Sequence, residues 1–150
     1  MLMLFFYVWS KRYAVNTESV IEVIPKILIK PILQVPNYVV GAISYGGTEI
    51  PVIDFSTLTE ATGSTESMHS RIFILSRPKG DVSQLVGILS EKITEAIEIE
   101  NDKISASGVR VKEFPYFDGI IRLGSDIVQV VDVDQFLDSM EGVVLWLRRF

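Results

Sequence analysis

"VVGAISYGGTEIPVIDF", residues 39–55, decides the fold. An apolar run is interrupted by Gly41, Gly46, Gly47 and Pro51 and closes on Asp54. Glycine reaches positive φ without a Cβ penalty, so Gly46-Gly47 suits a primed two-residue turn. That turn joins "GAISY" to "TEIPVIDF" as a hairpin. Asp54 then falls where a strand gives way to a short helix, and its carboxylate can cap the helix. The reading gives Asp54 a structural role, not a catalytic one.

The stretch has an echo. Displaced by 78 positions, Gly41 meets Gly119, Ile43 meets Ile121, Gly46 meets Gly124, Val52 meets Val130 and Asp54 meets Asp132. A second echo, displaced by 73, lays "AVNTESVIEVI" (14–24) over "GILSEKITEAI" (87–97). It pairs Thr17 with Ser90, Glu18 with Glu91, Val20 with Ile93 and Glu22 with Glu95. Two ordered echoes with nearly equal offsets indicate a duplicated β unit, about 14–58 and 87–136. Units this small are marginal alone, so the copies are expected to bury one another. By the echo, Gly124-Ser125 is the second primed turn.

The remaining chain agrees with an all-β architecture. Pieces such as "LFFYVW", "RYAVN", "KILIKPIL", "RIFILS", "QLVGILS" and "DIVQVVDV" are β-rich and bounded by turn residues. Pro31 and Pro51 predict edge strands or bulges. Residues 59–70 read as an exposed loop and 76–83 as a hairpin turn. The last segment predicts one C-terminal helix. Asp132 is its N-cap, Gln135 completes a capping box, and Val131 and Phe136 are staple residues. Val133, Phe136, Leu137, Met140, Val144 and Leu147 form its apolar stripe, Arg148 and Arg149 suit its C-terminal end, and Leu145 and Trp146 fall off the stripe.

Composition narrows function mostly by exclusion. The 150-residue chain has net charge −5 and no cysteine. An acidic surface repels phosphate backbones, so nucleic acid is not an expected partner. Without thiols there is no cysteine nucleophile or disulfide frame. "MLMLFFYVW" lacks a basic n-region and falls far short of the ~20 residues a membrane helix needs, so it reads as a buried strand without direct membrane insertion. "LWLRRF" is too weak an amphipathic anchor to change that. His69, the only histidine, could join Ser70 or Ser90 and Asp54 in a hydrolytic triad, but no G-x-S-x-G elbow supports one. Asp132, Asp134, Asp138 and Glu141 lack the glycine and alternation of a calcium loop and read as a capped, solvated helix. The glycines of "GAISYGG" precede a strand, so no phosphate cradle forms. No cofactor, metal or catalytic site is expected.

The ordered series "FYVWSKRYAVNTESVIEVIP", "VPNYVVGAISYGGTEIPVIDF", "SRIFIL", "VGILSEKITEAIEI" and "GIIRLGSDIVQVVDVDQFL" resembles the CheW-like chemotaxis coupling protein family. The resemblance covers about Leu2 to Leu137. It implies an all-β fold of two intertwined, pseudo-symmetric, SH3-like five-stranded barrels with short connecting helices and a C-terminal helix. Residues 2–137 would form the single CheW-like domain, and 138–150 a helical extension. It implies no enzyme but a cytoplasmic adaptor, recruited to membrane arrays, between chemoreceptor tips and the regulatory domain of a CheA-type histidine kinase.

Carried over by motif, Val20 and Glu22 match the apolar and acidic positions beside the receptor groove. Gly46 and Gly47 stand at the family's Arg-Gly, with Thr48 and Glu49 following in the receptor- and kinase-facing region. Ile93 and Ala96 match the corresponding positions of the other barrel. The family's Asn-x-Arg-Gly is here Ser44-Tyr45-Gly46-Gly47, and its Val-Asp is Ser90-Glu91. Glycine cannot replace an arginine fork, which points to a divergent pathway. The alternative expectation is a stand-alone CheW-like module that binds another protein or associates weakly with itself through Leu145, Trp146 and the sheet edges.

Overall fold

The computed structural model describes residues 1–26, 29–60, 70–106 and 114–147, without the side chains of residues 94 and 145–147. The strands are β1 (Leu2–Val8), β2 (Lys11–Asn16), β3 (Val20–Pro25), β4 (Val39–Tyr45), β5 (Thr48–Asp54), β6 (Arg71–Lys79), β7 (Val82–Ser90), β8 (Lys92–Glu98), β9 (Ile104–Ser105), β10 (Phe117–Leu123) and β11 (Asp126–Val131). The helices are α1 (Phe55–Glu60), α2 (Val133–Ser139) and α3 (Glu141–Leu147).

One sheet runs β8-β1-β2-β11-β10-β9 and the other β3-β6-β7-β5-β4. Lys30 bridges Ala42 at the outer edge of β4, as β9 does along β10. The two sheets therefore have one strand order, and each draws strands from both halves of the chain. Two parallel pairings interlock the halves. Val52 lies opposite Gly87, and Val130 lies opposite Ala14. The offsets read from sequence, 78 and 73, interchange these two contacts. Equivalent backbone bonds recur as well: Asp54 N donates to Tyr38 O at 2.8 Å, and Asp132 N to Tyr116 O at 2.7 Å.

Each sheet closes on itself. β3 and β4 are the two ends of their sheet, yet the Tyr45 hydroxyl on β4 donates to Glu22 on β3 at 2.5 Å. A flat sheet would hold those ends roughly 19 Å apart, at about 4.8 Å per strand step. The architecture is two small barrels.

Three apolar clusters follow. Met3, Phe5, Ala14, Ile121 and Val128 fill the barrel built on β1, and Ile43, Ile50, Val52, Ile72 and Ile74 fill the barrel built on β6. Between the barrels, Leu4, Phe6 and Val8 meet Phe73, Leu75, Ile88 and the helical residues Phe55, Phe136 and Leu137. β1 and β6 are buried on both faces over most of their length, which explains why "LFFYV" and "IFIL" are continuously apolar instead of alternating. Phe55 sits within the shared core, with ring centroids 5.3 Å from Phe6 and 5.1 Å from Tyr13.

Two expectations need correction. The C-terminal helix is two helices, broken at Met140 (φ −97°, ψ 2°). The Ser139 hydroxyl bonds back to Phe136 O at 2.7 Å, and Met140 N is shared between Phe136 O and Leu137 O. Such back-bonding and tightened final turns end helices, and Gly142 weakens continuation. Met140 and Val144 stay in the shared core, so the stripe survives the break. Pro51 lies in an interior strand, not at an edge, although the bulge alternative has a counterpart in the register shift of the β4–β5 pair at Gly41. The Tyr45–Thr48 pair closes the hairpin, so alternation leaves Ala42–Pro51 a non-bonded pair. The nitrogen of Pro51 points toward β7, where pairing begins only at Val52. Of the piece read as "KILIKPIL", the described part contributes only the Lys30 bridge.

The turn glycines behave as read at Gly46 and Gly47, with φ of 57° and 80°. At the echo only Gly124 is positive, at 61°, and Ser125 is not. That is the glycine-first pattern of a type II′ hairpin.

Candidate functional site

The β4–β5 tip is built by its register. Ser44 faces Glu49 across the strands, one pair back from the closing Tyr45–Thr48 pair. Lys30, brought alongside by its bridge to Ala42, donates to Glu49 Oε1 at 2.5 Å and to Ser44 Oγ at 3.2 Å. Ser44 Oγ also donates to Glu49. These bonds, Lys30 first and Ser44 second, hold the Glu49 carboxyl below the usual carboxylate range. The Tyr45 phenol is pushed up by its bond to the Glu22 carboxylate. Gly46 and Gly47 are exposed, with open space where a Cβ would stand.

The eight expected contact residues divide into three placements. Glu22, Gly46, Gly47, Thr48 and Glu49 gather at one end of the β6 barrel, linked by Tyr45. Val20 and Ile93 are half-buried and pack against the core between the barrels, opposite Leu75 and Phe6 respectively. Ala96 is exposed on β8, opposite Leu4, apart from the tip group. Sequence reasoning missed Lys30, Ser44 and Tyr45. The hairpin register would have given the Ser44–Glu49 pair, whereas Lys30 and Tyr45 depend on barrel closure.

His69 lies outside the described residues, as do the side chains of Leu145 and Trp146. The Asp54 carboxylate is occupied as a cap, accepting from Ser56 N and Thr57 Oγ1, each at 3.1 Å. Asp132 accepts from Gln135 N at 3.1 Å. Among the described residues no three acidic or histidine side chains converge as metal ligands, and no helix is long and apolar enough to cross a membrane.

The described residues thus form two interlocked barrels around a shared core, with a polar turn at one barrel end. The chain belongs to the CheW-like domain family, whose model matches residues 2–141. It is similar to a chemotaxis protein CheW of Rhizobium meliloti (strain 1021), with 22% identity over 138 residues, 91% of this chain and 86% of that protein. Its fold is similar to that of the scaffolding protein TtCheW from Thermoanaerobacter tengcongensis. That match has a TM-score of 0.76 and 23% identity, and covers 87% of this chain and 82% of the other. Family and fold therefore agree: the chain carries a CheW-like domain over nearly its whole length.

Proposed function

We propose that this chain is a scaffold that couples the tips of chemoreceptors to the regulatory domain of a CheA-type histidine kinase, with the β4–β5 tip and Glu22 as part of its contact surface. The observation that carries the reading is the Glu22–Tyr45 bond. It fixes the acidic position of the V-x-E segment beside an exposed turn at the family's Arg-Gly. Val20 and Ile93 support the groove between barrels, and Ala96 extends the contact on the β8 side. The same reading implies a cytoplasmic protein recruited to membrane receptor arrays.

The turn has no arginine, and the neighbouring cation, Lys30, is already paired with Glu49. A partner here meets backbone and hydrogen-bonded acids in place of an arginine fork. This favours a dedicated kinase and receptor of a divergent pathway. The test is a pull-down of the purified chain against the CheA-type kinases and receptor tips of its host, beside Glu22→Lys and Gly46→Arg. Binding by the unaltered chain and its loss in Glu22→Lys is the expected result. Binding only by Gly46→Arg, or by neither form, would favour a stand-alone module outside the array.

A further inference from the structure

The β1 barrel has a cleft at its mouth. It has a volume of about 310 Å³ and is lined by Tyr7, Lys11, Arg12, Asp126, Ile127 and Gln129. Arg12 forms its centre. The guanidinium lies 4.8 Å from the ring centroid of Phe5, inside the barrel, and 5.6 Å from that of Tyr7. Its Nε is buried and has no hydrogen-bond partner among the described residues. Among the described residues the acid paired with it is Asp126, 3.9 Å from Nη1, beyond hydrogen-bond range, with its side chain 65% exposed.

The fold does not require this arginine. Displaced by 73, Arg12 becomes Leu85, which packs against the interior cluster of the other barrel. Tyr7 faces Arg12 as Ser76 faces Leu85. An apolar residue thus serves at the equivalent position, while Arg12 keeps a donor fork half-used. Lys92, 5.4 Å above the Tyr7 ring, adds positive charge, and Lys11 is paired with Glu60 at 2.6 Å. This gathers cations at one spot of a chain with net charge −5. Beside them Ile127 is 54% exposed and Trp9, at the β1–β2 turn, 43% exposed.

We propose that this cleft binds an acidic peptide segment of a partner protein, one carboxylate on the Arg12 fork and a neighbouring apolar side chain against Ile127. A stacked guanidinium with a free edge matches a planar carboxylate bidentately, and the exposed Ile127 and Trp9 favour a peptide over a bare ion. The site is separate from the β4–β5 tip and does not depend on its assignment.

The experiment titrates the full chain with a blocked five-residue peptide alternating glutamate and leucine, followed by NMR at the Arg12 Nε–Hε and Ile127 signals. Both are expected to shift, and the glutamine version of the peptide is expected to leave them in place. Arg12→Leu should weaken binding at least tenfold with little change in Tm, since Leu85 occupies the equivalent position. Should that variant fail to fold, Arg12→Lys keeps the charge, loses the fork and should still weaken binding several-fold. Equal binding of the glutamine peptide, an unchanged affinity in Ile127→Ser, or the same shifts from inorganic phosphate at lower concentration would each overturn the proposal.

Discussion

The two barrels share strand order, the interlocking parallel pairs and an aspartate cap, but they differ at their mouths. The β6 barrel carries the Lys30–Glu49–Ser44 network and a Gly-Gly turn, and its interior is shut by Leu85. The β1 barrel carries Asp126 and Ile127 at the positions of Thr48 and Glu49, with Arg12 over its interior. What both copies keep is what closure and interlocking demand. What they do not share is open to partner choice. A pseudo-twin inside one chain thus serves as the control for its neighbour.

The largest effect should come from testing a shared feature. Gly41 and Gly119 both mark register shifts, at φ of 151° and 111°. A Cβ on Gly41 would stand 2.2 Å from Lys30 O, which is backbone tied to Ala42 in both directions and cannot move aside. At Gly119 the nearest atoms, Ile104 Cγ2 and Ser105 O, are at 3.3 Å. Gly41→Ala is expected to lose about 3 kcal/mol or more, and Gly119→Ala nearer about 1 kcal/mol, from strain and clash. Urea denaturation of both variants checks this. Equal losses would mean that the Lys30 bridge yields easily, and that the network at the β4–β5 tip is not held by the backbone.

A smaller difference is expected between the caps. Asp54 is buried and accepts two hydrogen bonds, whereas Asp132 is half-buried and accepts one from Gln135. Asp54→Ala should therefore destabilise by about 2 kcal/mol and Asp132→Ala by about 1 kcal/mol, within the range of N-cap losses. Thermal melts of the two variants rank them. The reverse order would mean that α2, which precedes the Met140 break, is the more marginal element.

The echo, the turn glycines and the capping aspartates were legible because they are local. A positive φ needs glycine within a residue or two, and a cap stands next to its helix. The barrel interiors were harder. "LFFYV" reads as buried, but only pairing reveals that Phe5 faces one barrel and Phe6 the shared core. The Met140 break escaped because the apolar stripe runs through it unchanged, while the cause is one hydroxyl bond from Ser139. Lys30, Tyr45 and Arg12 were invisible because each acts across a closed sheet. Lys30 lies 19 residues from Glu49, Tyr45 lies 23 from Glu22, and Arg12 has aromatic neighbours on β1 and an acidic one on β11.

The smallest expected effect sharpens the comparison by pH. Tyr38 and Tyr116 are related by the offset of 78 and both offer backbone carbonyls to the capping aspartates. Tyr38 is half-buried, whereas the Tyr116 ring is buried and its hydroxyl has no hydrogen-bond partner among the described residues. A buried unsatisfied hydroxyl costs about 1 kcal/mol or more, so Tyr116→Phe should stabilise the fold by about that amount. Burial also pushes the Tyr116 phenol well above its ordinary value. The folded state then holds this proton at pH values where the unfolded chain releases it. Stability from this group is complete below about pH 10, the unfolded value, and is lost as pH rises through the folded value. Tyr116→Phe should flatten the alkaline fall in Tm, leaving the remainder to groups such as Tyr13, whose phenol burial also raises, and Tyr45, raised by its bond to Glu22. Tyr38→Phe, at a half-buried ring, should bring no such gain in stability. If both variants behaved alike, the two copies would be equally solvated at this position, and the asymmetry of the molecule would be confined to its barrel mouths.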